Sequence, residues 1–528
     1  MIPFFRKRNR KQGEYILKSS RTKVSLILAS LLTSGVVYAA DAQVDLAKEI
    51  EALKAELNEL KATVKNSNFD GMQRELSAIK KATYGDNLKF SADYRYTIDS
   101  IEYKHISGKK SKNDDFMSNR LILGMKYAPT DDLSFIGELS YNKAFGDTDN
   151  HAQSNTQPGY ANFDWVTNEN ATDNTVKVKQ AYFLYKNDND TIPYTASVGR
   201  RPSVNGYPLN LRENDQAASP NSHLINVEFD GASFKFDLDK ITDISGMYFK
   251  ICLGRGLTNA KQRFSMDGTD YAQNNREDSK HVDMYGFVFV PYDDGQYHVL
   301  TNFAWAKDMI GYDQAGMNAY QGAYMAWMMA PTSSNYYDMI YKTPQFKSVG
   351  DWNGGAITLG ADGIGEDWGD FMDETKAFVS WAFTKTKPQN GYTMLGSTES
   401  QTGHSWYAGI QVPALVTEKG RIGVEWNKGS KYWRPVTYGE DTVIGSKLAA
   451  RGTAWEVYYI QPLIGKDTLT MDLRFTQIKY DYTGSNAFFG YEGMPLSIDE
   501  AKAAYAAGMG SDVVEKASDI RVAFRYRY

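Results

Sequence analysis

The 528-residue chain has a single cysteine, Cys252, and six histidines. One thiol closes no internal disulfide, and Cys252 sits between Ile251 and Leu253 as a small apolar filler. There is no C-x-x-C-H, so the chain attaches no c-type haem; there is no G-x-S-x-G elbow and no H-E-x-x-H helix. His404 and Ser405 are adjacent in an alternating stretch, which sends them to opposite faces and prevents a nucleophile and base from meeting. Asp362, Glu366, Asp367 and Asp370 depart from the EF-hand spacing, and Gly363 and Gly365 among them suit a turn. No catalytic, cofactor-binding or metal-binding set is expected, and the chain is not read as an enzyme. Apolar runs are equally scarce. With a mean hydropathy of −0.51 the chain cannot be a bundle of membrane helices, each of which needs about 20 apolar residues. A net charge of −5 with no basic face gives no nucleic-acid partner.

The one apolar run, Val24 to Val37, follows a basic segment and precedes Val37-Tyr38-Ala39, a small-residue cleavage pattern. Residues 1–39 therefore read as a secretory signal peptide, and export follows. From Leu46 the apolar residues fall at Ile50, Leu53, Leu57, Leu60 and Val64, an a/d seam flanked by Glu and Lys. A helix this short is marginal alone, so the seam needs a partner. The segment 40–84 is expected to be a periplasmic coiled coil that associates through 46–64, as a trimer; the alternatives are a helix that folds back as a plug and a disordered segment.

What remains is alternation. In the last stretch Ile520, Val522, Phe524, Tyr526 and Tyr528 alternate with Asp519, Arg521, Ala523, Arg525 and Arg527, giving one apolar face and one charged face. A soluble sandwich would bury the apolar face, whereas a membrane barrel turns it to lipid and the polar face to a wet lumen. The stretch ends on an aromatic residue and resembles the recognition strand that bacterial outer-membrane barrels present to the barrel-assembly machinery. Aromatics make up 13% of the chain, with 36 Tyr, which suits the girdles of such a barrel. Alternating segments are expected at 87–99, 117–128, 132–144, 176–187, 194–201, 222–239, 246–256, 281–291, 296–307, 351–361, 372–385, 403–413, 420–428, 451–461, 467–482 and 516–528. That is about sixteen strands, within a range of 14–18, with short turns on one side and long connections on the other. The connection 308–350 is rich in Met and Tyr and is expected to pack against the wall or a neighbouring subunit, or to fold into the pore. Ser497 and Glu500 form a capping box ahead of a short helix in 483–515.

Ser197-Val198-Gly199-Arg200-Arg201-Pro202, followed by Arg212-Glu213-Asn214, resembles the uncharacterised outer-membrane barrel family called domain of unknown function 3373. That resemblance implies an outer-membrane barrel for residues 85–528 and supplies no substrate; general bacterial porins are the functional analogy. The expectation is an all-β transmembrane antiparallel barrel in the bacterial outer membrane, passing small hydrophilic solutes by diffusion. The alternatives are the sheath of an electron conduit enclosing a partner cytochrome, and a surface-binding or adhesive barrel. The strand period sends Lys89, Asp93, Arg95, Arg120, Lys126, Arg421, Asp472, Arg474, Arg521, Arg525 and Arg527 to the lumen. This wall is basic although the chain is acidic, which predicts a weak anion preference unless Asp93, Asp472 and Asp519 neutralise the arginines.

Overall fold

The computed structural model describes residues 88–146, 169–171, 174–188, 191–257, 263–264, 268, 270–271, 281–344, 346–365, 368–465 and 467–528. The expected signal peptide and coiled coil lie outside these, as do Glu366 and Asp367. The unit from Asn87 to Tyr528 is a closed barrel of sixteen strands. In order they are β1 (Leu88–His105), β2 (Lys110–Tyr127), β3 (Leu133–Ala144), β4 (Lys177–Asn187), β5 (Tyr194–Arg201), β6 (Phe229–Asp237), β7 (Tyr248–Leu257) and β8 (Val282–Asp293). There follow β9 (Tyr297–Tyr312), β10 (Phe346–Asp362), β11 (Lys376–Pro388), β12 (Thr402–Pro413), β13 (Arg421–Gly429), β14 (Gly452–Ile464), β15 (Leu469–Tyr480) and β16 (Val514–Arg527). Each strand pairs antiparallel with its sequence neighbours, and β16 closes on β1 with Tyr96 opposite Phe524 and Arg95 opposite Arg525.

The period-two pattern decides which face is which. On β16, Ile520, Phe524 and Tyr526 are exposed while Asp519, Arg521 and Arg525 are buried; on β15, Leu473 and Phe475 are exposed while Asp472, Arg474 and Thr476 are buried. Apolar groups outside and charged groups inside is the reverse of a soluble domain, and it fits a sheet with lipid around it. Among the described residues no helix is long and apolar enough to cross a membrane.

Connections on one rim are short, as at 128–132, 294–296 and 465–468. The opposite rim carries the longer ones: 145–176, 202–228, 258–281, 313–345, 389–401, 430–451 and 481–513. The exception on that rim is 106–109. The stretch 100–116, expected to be a long connection, instead extends β1 and β2 into a protruding hairpin, in which Lys110 and Lys112 each lie 2.8 Å from Glu102.

Several long loops turn inward. Residues 202–228, of which 222–228 is expected to be strand, form a plug inside the barrel; His223 and Leu224 are fully buried there, and β6 starts only at Phe229. Leu224 and Val227 join Trp352, Met394, Trp433, Phe488 and Phe489 in an apolar core against β8–β11. Tyr207, Leu209 and Leu211 form a second with Val288, Val290, Leu300, Phe378 and Tyr407 of β8, β9, β11 and β12. A third cluster, around Ile444, Ile478 and Ala517, lies toward the other wall. The Met-rich loop, expected to pack on the wall or a neighbouring subunit or to enter the pore, neither packs on the wall nor enters the pore of its own barrel. It forms α1 (Gln314–Met329) and α2 (Ser333–Tyr341), an exposed hairpin in which only Ala323 is buried. Trp327 packs on Tyr324 and Tyr336, so the aromatic content is spent within the hairpin. The capping box is present: Ser497 caps α3 (Ile498–Ala506) and Glu500 returns the bond.

Candidate functional site

Alternation and register together place arginines side by side. Arg95 on β1 lies directly opposite Arg120 of β2 on one side and Arg525 of β16 on the other, and Arg521 of β16 lies opposite Arg474 of β15. Like charges opposite one another destabilise a sheet unless a counter-charge comes between them. The plug and the 430–451 loop supply it. Glu213, at the end of a 3₁₀ turn from Leu209, lies 3.2 Å from Arg95, 3.4 Å from Arg120, 3.2 Å from Arg525 and 3.7 Å from Arg474. Asp441 lies 2.5 Å from Arg95, 3.2 Å from Arg120 and 3.1 Å from Arg521. Asp215 holds Arg525 at 2.8 Å and Arg527 at 2.6 Å, and Asp99 holds Arg521 at 2.6 Å. Burial by itself would raise the Glu213 carboxyl, but Arg120, Arg95 and Arg525 outweigh it and hold the group well below the usual carboxylate range. Asp441 behaves the same way under Arg95, Arg521 and Arg120.

A second network repeats the logic. Glu425 and Glu456 are directly opposite on β13 and β14, and Lys447 reaches between them at 2.5 Å from each. Arg212 of the plug lies 3.2 Å from Glu456 and 3.5 Å from Glu440, while Tyr407 donates its hydroxyl to Glu425 at 2.5 Å. In the apolar region His223 bridges Ser380 at 2.8 Å and Ser405 at 3.0 Å. Burial pushes its imidazole down to about 3, so it is neutral. Ser405 and His223 hold the atoms of a nucleophile and a base, yet both are fully buried in packed core that no substrate reaches. His404 points outward and stacks on Trp381, as adjacency requires.

Two lumenal cavities of about 600 Å³ each remain along the charged wall. One opens toward the short-turn rim and is lined by Asp93, Glu138, Lys179, Asp215, Arg527 and Tyr528. The other opens toward the long-loop rim and is lined by Tyr103, Phe116, Ser118, Asn142, Tyr438 and Arg521. Both reach Arg120, Glu169 and Asp441, so the ionic cluster stands between them. Neither has the volume of a folded domain, and the plug occupies the space a partner cytochrome would need.

Eight of the eleven expected lumen residues come together here: Asp93, Arg95, Arg120, Asp472, Arg474, Arg521, Arg525 and Arg527. The other three do not. Lys89 and Lys126 face each other at the short-turn rim, exposed, and Arg421 at the same rim turns to Glu374 at 3.3 Å. Of the pairings considered to neutralise the wall, Asp93 with Arg525 is present. Asp472 and Asp519 each keep one buried oxygen without a hydrogen bond. Sequence reasoning missed the loop residues Glu213, Asp215, Asp441 and Lys447, because charges outside a strand carry no period. Arg212-Glu213-Asn214 was visible only as a motif. Asn214 takes a left-handed backbone, φ 51°, and donates to Asp467 at 3.2 Å, which turns the Glu213 carboxylate to the wall. Gly199 of the other motif sits at φ 126°, where an added Cβ would meet the Ala181 carbonyl oxygen at 2.3 Å, so glycine is required.

An apolar exterior, a closed antiparallel sheet of sixteen strands and a charged lumen braced by its own loops define a barrel of the outer-membrane type. The chain belongs to the family described as protein of unknown function (DUF3373), which matches residues 110–528. No curated protein matches it. Among solved structures it is similar to Salmonella typhi OmpF in complex with daunomycin, at 10% identity over 84% of this chain and 99% of that one, TM-score 0.41. It is similar also to Pseudomonas putida OprB in a high-pH structure, at 11% identity over 86% and 97%, TM-score 0.44. A third is an anion-selective porin from Comamonas acidovorans, at 9% identity over 84% and 99%, TM-score 0.42.

Proposed function

We propose that the chain is a bacterial outer-membrane channel through which small hydrophilic solutes diffuse along the β16, β1, β2, β3 and β4 wall, with no bond made or broken. The observation that carries this is the pair of cavities on either side of one ionic cluster, both lined by Arg120, Glu169 and Asp441. Charged groups that part in this seam meet water from the cavities, so opening is far less costly than in a dry interior. The preference for anions is weak and fades with salt, because each wall arginine of the cluster already faces a carboxylate. Planar-bilayer recording tests the reading: small, discrete conductance steps that exclude large sugars are expected. A silent barrel overturns it and leaves the surface-binding alternative.

The finer organisation belongs to the same proposal. The mature chain begins near Ala40, residues 46–64 associate as a trimer, and the β16 apolar row serves lipid contact and recognition by the barrel-assembly machinery. Replacing Ile50 and Leu57 by Asp shifts native mass toward monomer; an unchanged mass removes the coiled coil from the account.

A further inference from the structure

Two inward cations of the β5–β7 wall lack the carboxylate partners that brace the arginine cluster. Arg201, at the end of β5, and Lys250, on β7, face inward, since Val198, Ile251 and Leu253 on the same strands are exposed outward. Their neighbours are paired, Arg200 with Asp230 and Lys235 with Asp237. Among the described residues no carboxylate lies within ion-pair distance of Arg201 or Lys250. Both line a partly open space of about 130 Å³ where the β5–β9 wall meets the plug, and no acidic residue lines it. Gly231, Gly254 and Gly286, on the inward rows of their strands, leave the room. The Arg201 Nε is buried without a hydrogen-bond partner; so is the Ser219 hydroxyl, which enters from the plug.

Two cations confined together without a counter-charge repel one another and forfeit hydration, a cost that a small anion removes. The donors are a guanidinium, an ammonium and a hydroxyl, which suits an oxygen-rich anion. We propose that this space is a binding site for a small oxyanion of the phosphate type, held by Arg201 and Lys250 of the wall and by Ser219 of the plug. The anion ties loop 202–228 to β5 and β7, on the wall where that loop meets neither the arginine cluster nor the channel cavities.

The test uses the purified full chain in detergent and inorganic phosphate as the probe, against chloride at equal ionic strength. Phosphate is expected to raise the melting temperature with saturation. It also slows alkylation of Cys252, the sole thiol, about tenfold at ten times its dissociation constant. Arg201→Gln with Lys250→Met abolishes both effects, whereas Arg527→Gln, on the far wall, keeps them. Should the double variant not fold, Lys250→Met alone gives the same readout, a weaker phosphate response. An equal response to chloride, a response that never saturates, or an undiminished response in the Lys250 variant overturns the proposal. None of these readouts depends on whether the barrel conducts.

Discussion

Loop 202–228 meets two walls that differ in kind. Toward β8–β12 it presents Tyr207, Leu209, Leu224 and Val227, which pack with Trp352, Phe378 and Trp433; on that side the inner face of the sheet mixes apolar groups with neutral ones such as Thr358, Ser380 and Ser405. Toward β15, β16, β1 and β2 the same loop presents Glu213 and Asp215 to a row of arginines. Apolar contact excludes water and gains with area, so the first wall holds the plug in place. Ion pairs keep their partners charged when they separate, and the cavities beside them supply water. The loop is therefore anchored by apolar packing on one wall and by ion pairs on the other, and the proposed passage follows the ionic side.

The largest effect comes from breaking the apolar anchor. Trp352 is 1% exposed, and its indole donates to the Arg434 carbonyl at 3.0 Å. Trp352→Ala should cost about 3–5 kcal/mol in denaturant unfolding while leaving ion selectivity as it was. A selectivity change of the size that charge variants produce would mean the two walls are not separate devices.

The outer face sharpens the contrast next. Phe524→Arg puts a charge into lipid and should cost about 2–4 kcal/mol near the midplane, read as lost folded barrel. The sequence reading makes Arg at position 523 harmless because that face is wet. Ala523 does face the lumen, but it is 1% exposed, between Thr97 and Asp472 in the ladder. Overpacking there should cost about 1–3 kcal/mol, and Ala523→Ser is the silent control. Equal damage from Phe524→Arg and Ala523→Ser would show the faces to be reversed.

What the sequence discloses follows from periodicity. Sixteen alternating segments yield sixteen strands, and alternation puts Arg95, Arg474 and Arg525 inside. The plug has no such signature. Leu224 and Val227 look like strand residues because burial between two surfaces selects the same apolar types whether or not the backbone pairs. Glu213 and Asp441 look like solvated loop charges, since nothing local marks a carboxylate whose nearest partner along the chain is 93 or 80 positions away. The β1–β2 extension was hidden by its polarity: above the lipid both faces are wet, and the alternation that defines a strand disappears.

The two walls should also answer to pH with opposite sign. Glu492, beside Phe488 and Phe489, is pushed up to about 7, first by burial, although it accepts a backbone bond from Tyr312 at 3.1 Å. Its folded pKa exceeds the unfolded one, so the stability it contributes is fully present below about 4.5 and is lost as pH rises through about 7. Glu213 and Asp441 are held low; their contribution is present above the unfolded carboxylate range and is lost as pH falls through the folded values. Glu492→Gln should remove the destabilisation on going from pH 5 to 7, a change of about 1–2 kcal/mol once loop hydration trims the full linkage. Loss of Glu213 instead flattens the acid limb, and a reversed assignment of limbs would break the pairing of pH with wall.

The smallest shift in the quantity measured is the most direct on selectivity, apart from the folding stability that the loss of two buried counter-charges costs. Glu213→Gln with Asp441→Asn removes the shared counter-charges of Arg95 and Arg120 and part of those of Arg521 and Arg525, leaving the groups that shape the wall unchanged. The intact cluster is nearly balanced, so its field at the cavities is small; without the two carboxylates the arginines face the passage unmasked. Reversal potential under a salt gradient should move toward anions by a few-fold in permeability ratio, under about 1 kcal/mol, since a tenfold ratio is 1.4 kcal/mol. The shift should shrink at high salt, where a Debye length of a few ångströms screens an aqueous passage. Arg95→Gln, Arg474→Gln and Arg525→Gln together should move it the other way. If neither set moves the reversal potential while conductance persists, ions travel by a route that does not touch this seam, and the ionic wall is a brace.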